Sequence, residues 1–142
     1  METGTLLDPY TGSTPAPRPR PGRRTISFTK SKVTEARIDH VYPLALAWDM
    51  GAANWTRVQR TRFATDPLNL VAVDAPSNES KGDRGPGEWM PINRDYRCTY
   101  VQRFLKVAVT YRLPITSADA TWIATTASTC PKRPEPAHQA TP

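Results

Sequence analysis

Asp39-His40-Val41-Tyr42-Pro43 is the stretch on which the fold turns, because it sets a carboxylate beside an imidazole just ahead of a proline. Val33 to Tyr42 reads as an extended segment, and Pro43, which has no backbone N–H to give to a ladder, ends it. Neighbouring side chains on one strand face opposite ways, so Asp39 and His40 can serve one ligand only where the strand bends or stops. Imidazole changes protonation near neutral pH and suits a general base; a carboxylate is a hard oxygen donor suited to Mg²⁺. An activated water and a charge-neutralising cation are what phosphodiester hydrolysis demands. Alone the pair is weak evidence, since an isolated strand histidine is more often structural.

Residues further along the chain change the weight of that pair. Leu68 to Val73 is a short apolar run of β-formers, and Pro76-Ser77 after it signals a helix start, with Ser77 as cap and Glu79 in the first turn. The order is strand, then helix. Nine residues separate Asn69 from Asn78, and three separate Asn78 from Lys81.

Outward from this centre, Thr25-Ile26-Ser27-Phe28 alternates like a strand, and a turn at 30–32 would pair it with Val33–Tyr42 as a hairpin. Leu44 to Met50 is helix-compatible and stops at Gly51; Asn54 is the expected cap of a helix from Trp55 to about Ala64. Gly82, Gly85, Pro86 and Gly87 keep the helix after Ser77 short, and without a Gly-Lys-Ser/Thr ending they form no P-loop. Arg94 to Arg112 is the longest helix candidate, with Tyr96, Tyr100, Phe104 and Ala108 along one core-facing stripe. Its basic residues, Arg103 and Lys106 among them, read as solvated surface. Ser117 is the expected cap of a last helix to about Thr126. Trp48, Trp55, Trp89 and Trp122 are read as core or cover residues rather than base-stacking platforms, given their separation in sequence.

At 142 residues, 38% hydrophobic and with 15 prolines, the chain suits one domain smaller than itself. The expected division is a mobile N-terminal segment with a Pro/Arg linker over 1–24, a folded domain over 25–127 and a disordered tail over 128–142. Arg18, Arg20, Arg23 and Arg24 carry much of the +6 charge, as a phosphate-attracting arm or, by preference, a solubilising spacer. Apolar runs fall short of a membrane span or a secretory core. With only His40, His138, Cys98 and Cys130 available, a structural zinc site is hard to assemble.

The spacing of Asp39-His40, Asn69, Asn78 and Lys81 resembles the ββα-metal motif of HNH endonucleases, in the variant whose last histidine is asparagine. Asp8 to Gly12, Ile38 to Trp48, Phe63 to Val73, Asn78 to Asp83, Glu88-Trp89-Met90-Pro91 and Tyr96-Arg97-Cys98-Thr99-Tyr100 resemble more narrowly the bacterial HNH family related to the C-terminal domain of GmrSD restriction endonucleases. The resemblance implies an α+β fold, a ββα-metal (His-Me finger) core with additional packed helices. It implies a metal-dependent endonuclease that hydrolyses phosphodiester bonds of DNA. Asp39 and Asn78 would hold one divalent ion, Mg²⁺; His40 would activate water; Asn69 would brace the loop and help orient His40; Lys81 would sit near the phosphate or stabilise the site. The alternative is a nucleic-acid-binding ββα module, or a truncated nuclease, that does not cut. A monomer with no membrane partner is expected, cytoplasmic as the chain stands and secreted if an export segment precedes it. Longer relatives offer Cys98 an upstream partner; here a buried free thiol is expected in preference to a bridge with Cys130.

Overall fold

The computed structural model of the chain describes residues 3–6, 8–12, 26–29 and 36–132. Among the described residues, four short strands and five α-helices make an α+β domain: β1 (Thr3–Leu6), β2 (Ile26–Thr29), β3 (Ala36–His40), α1 (Leu44–Asp49), α2 (Arg57–Thr65), β4 (Leu70–Asp74), α3 (Ala75–Lys81), α4 (Arg94–Thr110) and α5 (Ser117–Ser128). Among the described residues the expected hairpin between the strand near Ile26 and the strand ending at His40 is not seen, and its turn at 30–32 lies outside them. Instead β2 pairs antiparallel with β1, and β3 with β4, His40 opposite Leu70 and Ala36 opposite Asp74. β4 runs straight into α3, so strand, strand and helix adjoin, with α1 and α2 inserted between the strands.

Local chemistry sets the helix ends, one to three residues from where the sequence points. Thr56, not Asn54, caps α2 in a capping box, its hydroxyl accepting from Gln59 N while the Gln59 amide accepts from Thr56 N. Asp74 stands at the N-cap of α3, so that helix starts ahead of Ser77, with Pro76 in its first turn where no N–H is needed. Thr116 rather than Ser117 caps α5 by accepting from Asp119 N. α4 ends in a Schellman arrangement, with Leu113 N donating to Ala108 O and Arg112 N to Val109 O. Arg112 holds the left-handed position (φ 53°) that glycine usually takes. Arg112→Gly is therefore expected to raise stability by about 1 kcal/mol, seen as a higher urea midpoint; a lower midpoint would contradict this.

The core lies between α4 and the β3–β4 layer. Tyr100, Phe104 and Ala108 of the expected stripe are buried, joined by Val101 and Val107. Phe104 stacks on Tyr42 at 4.7 Å, and the Tyr42 hydroxyl donates to Pro114 O. Arg103 is not the solvated surface residue expected: its guanidinium donates to the carbonyls of Pro67, Leu68 and Leu70, pinning the entry to β4. Arg97 donates likewise to Pro91 O. The buried Asp119 of α5 accepts from Gly87 N, and a Cβ on Gly85 would overlap its carboxylate. Glycine at 85 is thus a requirement of close approach.

Residues 3–6 and 8–12 fold with the domain, Asp8 and Tyr10 being fully buried; the expected boundary at 24/25 lies outside the described residues. At the other end α5 continues to Ser128, which brings Cys130 to Cys98 in a disulfide, Cα to Cα 5.7 Å. The free thiol expected for Cys98 is therefore corrected, because a helix two residues longer reaches back across α4. Positions 133–142 lie outside the described residues. The bridge spans 32 residues of sequence. Its loss in Cys98→Ser is expected to cost about 2–4 kcal/mol through the unfolded chain's entropy. Equal urea midpoints with and without reductant would refute this.

Candidate active site

β3 stops at His40, as sharing of one ligand by Asp39 and His40 requires. The chain then bends through Val41 and Tyr42, both fully buried. Asn69 fixes the bend with three bonds: its carbonyl accepts from Val41 N (3.0 Å), its side-chain oxygen from Tyr42 N (2.7 Å), and its amide donates to Tyr42 O (3.0 Å). The imidazole is oriented by α2, where Nε2 lies 2.8 Å from the carbonyl of Ala64. A carbonyl can only accept, so Nε2 carries the proton and Nδ1 keeps a lone pair in the neutral ring.

Asp39 is 5% exposed and lies between two donors. Tyr10 donates its hydroxyl to Oδ2 at 2.5 Å, and Lys81 Nζ stands 3.1 Å from Oδ1 and 3.0 Å from Oδ2. Lys81 also donates to His40 O at 2.7 Å and is 0% exposed, so it offers no atom to a phosphate from solvent. Burial lowers the Lys81 ammonium from its ordinary pKa, and the Asp39 charge opposes that shift. Burial, with Asp39 beside it, pushes the Tyr10 phenol far upward, so it remains a donor. Tyr10 is in turn placed by Asp8, whose carboxylate accepts from the backbone N of Tyr10, Thr11 and Asp74 and so pins this turn to the start of α3.

Asp39, His40 and Asn78 line one cleft of about 270 Å³, together with Pro43, Leu44 and Asp83. Asn78, half-buried on α3, is brought there by the direct passage from β4 into that helix. Lys81, one turn on, points inward instead. Among the described residues no three His, Cys, Asp or Glu side chains assemble as a ready metal-holding group. The donor set nonetheless suits Mg²⁺, which keeps several waters and takes one or two protein oxygens plus phosphate. A carboxylate has roughly four lone-pair sites, and Tyr10 and Lys81 occupy three of those on Asp39. Asp39 and Asn78 each retain acceptor capacity toward the cleft.

Sequence reasoning missed Tyr10, Asp83 and the Ala64 carbonyl. Tyr10 lies within the Asp8–Gly12 segment that carries part of the family resemblance, which was the signal available; Ala64 contributes only backbone, which no residue type announces.

A curated relative, an "Uncharacterized secreted protein" of the fungus Arthroderma benhamiae, is 42% identical over 104 residues. The match covers 72% of this chain and 51% of the relative, so the chain spans about half that protein's length. Because that relative is fungal, the expected restriction to bacteria is not supported. No solved structure matches the chain. Among the described residues no helix is long and apolar enough to cross a membrane. The family model for the C-terminal domain of GmrSD restriction endonucleases matches residues 15–126, most of the folded part, and the chain belongs to that family.

Proposed function

We propose that this domain is a metal-dependent endonuclease with a ββα-metal core, hydrolysing phosphodiester bonds of DNA. The observation that carries the reading is His40, its tautomer set by Ala64 O, sharing one cleft with the oxygen donors Asp39 and Asn78. In this scheme His40 Nδ1 takes a proton from the attacking water and holds it at the ring. Asn69 keeps the bend after β3 in place, and Lys81 with Tyr10 keeps the Asp39 carboxylate aimed. Lys81 is thus a positioning residue and not a phosphate ligand. Asp39 and Asn78 would hold Mg²⁺, which when bound supplies neutralisation of charge on the phosphate and the departing oxygen. The disulfide and the name of the fungal relative favour work in an oxidising compartment over the cytoplasm expected from sequence.

The test is direct. Supercoiled plasmid incubated with the protein is expected to become nicked circles in Mg²⁺ and to stay intact in EDTA. Salt-sensitive retention of the plasmid without nicking would overturn the reading in favour of a binding module.

A further inference from the structure

We propose that a hollow beside His40 receives an unstacked nucleobase, so that single-stranded or locally opened DNA, as in a negatively supercoiled plasmid, is bound in preference to relaxed duplex; this rests on the endonuclease reading above. The hollow, about 200 Å³, lies between α1 and α2 and is walled chiefly by Leu44, Ala47, Trp48, Trp55, Phe63 and Ala64. Trp48 and Trp55, seven residues apart in sequence, converge on it. Trp48 is 51% exposed, an indole face left open to solvent beside an apolar cavity.

Two observations connect the hollow with nucleic acid. First, it shares Leu44 with the cleft that holds Asp39, His40 and Asn78, and its wall residue Ala64 supplies the carbonyl that orients His40. A base lodged there belongs to a nucleotide next to the phosphate at His40. Second, a cation lines it, Arg60 of α2. α2 carries Arg57, Arg60 and Arg62 and no acid, and the Arg60 guanidinium lies 5.3 Å from the centre of the Trp48 ring. Beyond Trp55 a larger cleft continues past Arg62 and Arg112, where the carboxylate of Asp66 is taken by the Tyr111 hydroxyl. An aliphatic occupant would use the apolar wall and leave Arg60 idle. A nucleotide uses both, stacking its base on indole and setting its phosphates against guanidinium. A base in closed duplex is held in its stack and cannot enter unless it is extruded.

The experiment measures binding by the full chain in EDTA to a short fluorescent single strand, to the same strand carrying abasic sites, and to its duplex. The intact single strand is expected to bind roughly 10-fold more tightly than the abasic one, to bind more tightly than the duplex, and to quench tryptophan fluorescence. Trp48→Ala is expected to abolish the difference between intact and abasic strands, and Trp48→Phe to keep part of it. Equal affinity of the unmodified protein for intact and abasic strands overturns the proposal, as does preference for duplex, failure to bind any of the three, or a folded Trp48→Ala that discriminates fully. The comparison of strands on the unmodified protein decides the matter even if Trp48→Ala fails to fold. Loss of discrimination with plasmid nicking intact removes the base pocket alone. Discrimination without nicking removes the endonuclease reading and leaves the pocket standing.

Discussion

His40→Ala is expected to slow Mg²⁺-dependent plasmid nicking by ~10²–10⁴-fold, the range for loss of a general base, while leaving the urea midpoint close to that of the unmodified protein. The two halves of this expectation have separate causes. His40 is half-buried, and the bond from Nε2 to Ala64 O is the hydrogen bond its ring makes. Such a bond contributes about 1 kcal/mol net, and Ala64 is itself only half-buried, so loss of the donor is expected to cost little. The neutral imidazole, by contrast, has a single lone-pair nitrogen, and among the described residues no other imidazole lines the cleft. A variant that nicks at the unmodified rate would remove His40 from the chemistry. A variant that is inactive because it is unfolded would be exposed by its midpoint.

The part of the site legible in the sequence is the part that local geometry carries. Asp39 and His40 are adjacent, and Asn78 and Lys81 are one helical turn apart, so the pattern of residue types reports their relation directly. Asn69 at the threshold of β4 was legible for the same reason, and its bonds to Tyr42 give the bend a cause. What was hidden depends on contacts between distant parts of the chain. Tyr10 reaches Asp39 across 29 residues, and the turn that carries it was expected to be mobile because of the Pro/Arg run beside it. The pairing of β1 with β2, and of β3 with β4 over a long insertion, cannot be ranked against a local hairpin by alternation alone. Cys130 looked like tail because the apolar pattern of α5 fades before the helix does. Trp48 and Trp55 looked unrelated for want of the turn that folds α1 back toward α2.

Lys81→Ala is expected to destabilise the domain by about 3–5 kcal/mol, the cost of leaving one member of a buried ion pair without its partner. Against a whole-domain stability of about 5–15 kcal/mol, that is enough to shift the urea midpoint strongly. The geometry explains why. The ammonium is fully buried and gives its hydrogens to both oxygens of Asp39 and to His40 O; without it the carboxylate keeps only the Tyr10 hydroxyl, and the His40 carbonyl loses a donor. A Lys81→Ala midpoint within about 1 kcal/mol of the unmodified protein would show that water replaces the ammonium, and the pair would cease to explain how Asp39 is held. The converse replacement separates structure from chemistry. Changing Tyr10→Phe, Asp39→Leu and Lys81→Met together removes both charges and the hydroxyl and leaves His40 O short of its Lys81 donor, so most of the stability lost in Lys81→Ala is expected to return, as buried ion pairs replaced by packed apolar groups commonly allow. Nicking is not expected to return, because Asp39 is gone from the cleft. A stable, inactive triple variant would mean that this buried trio is kept for what Asp39 does in the cleft, since folding alone would be served as well by apolar side chains.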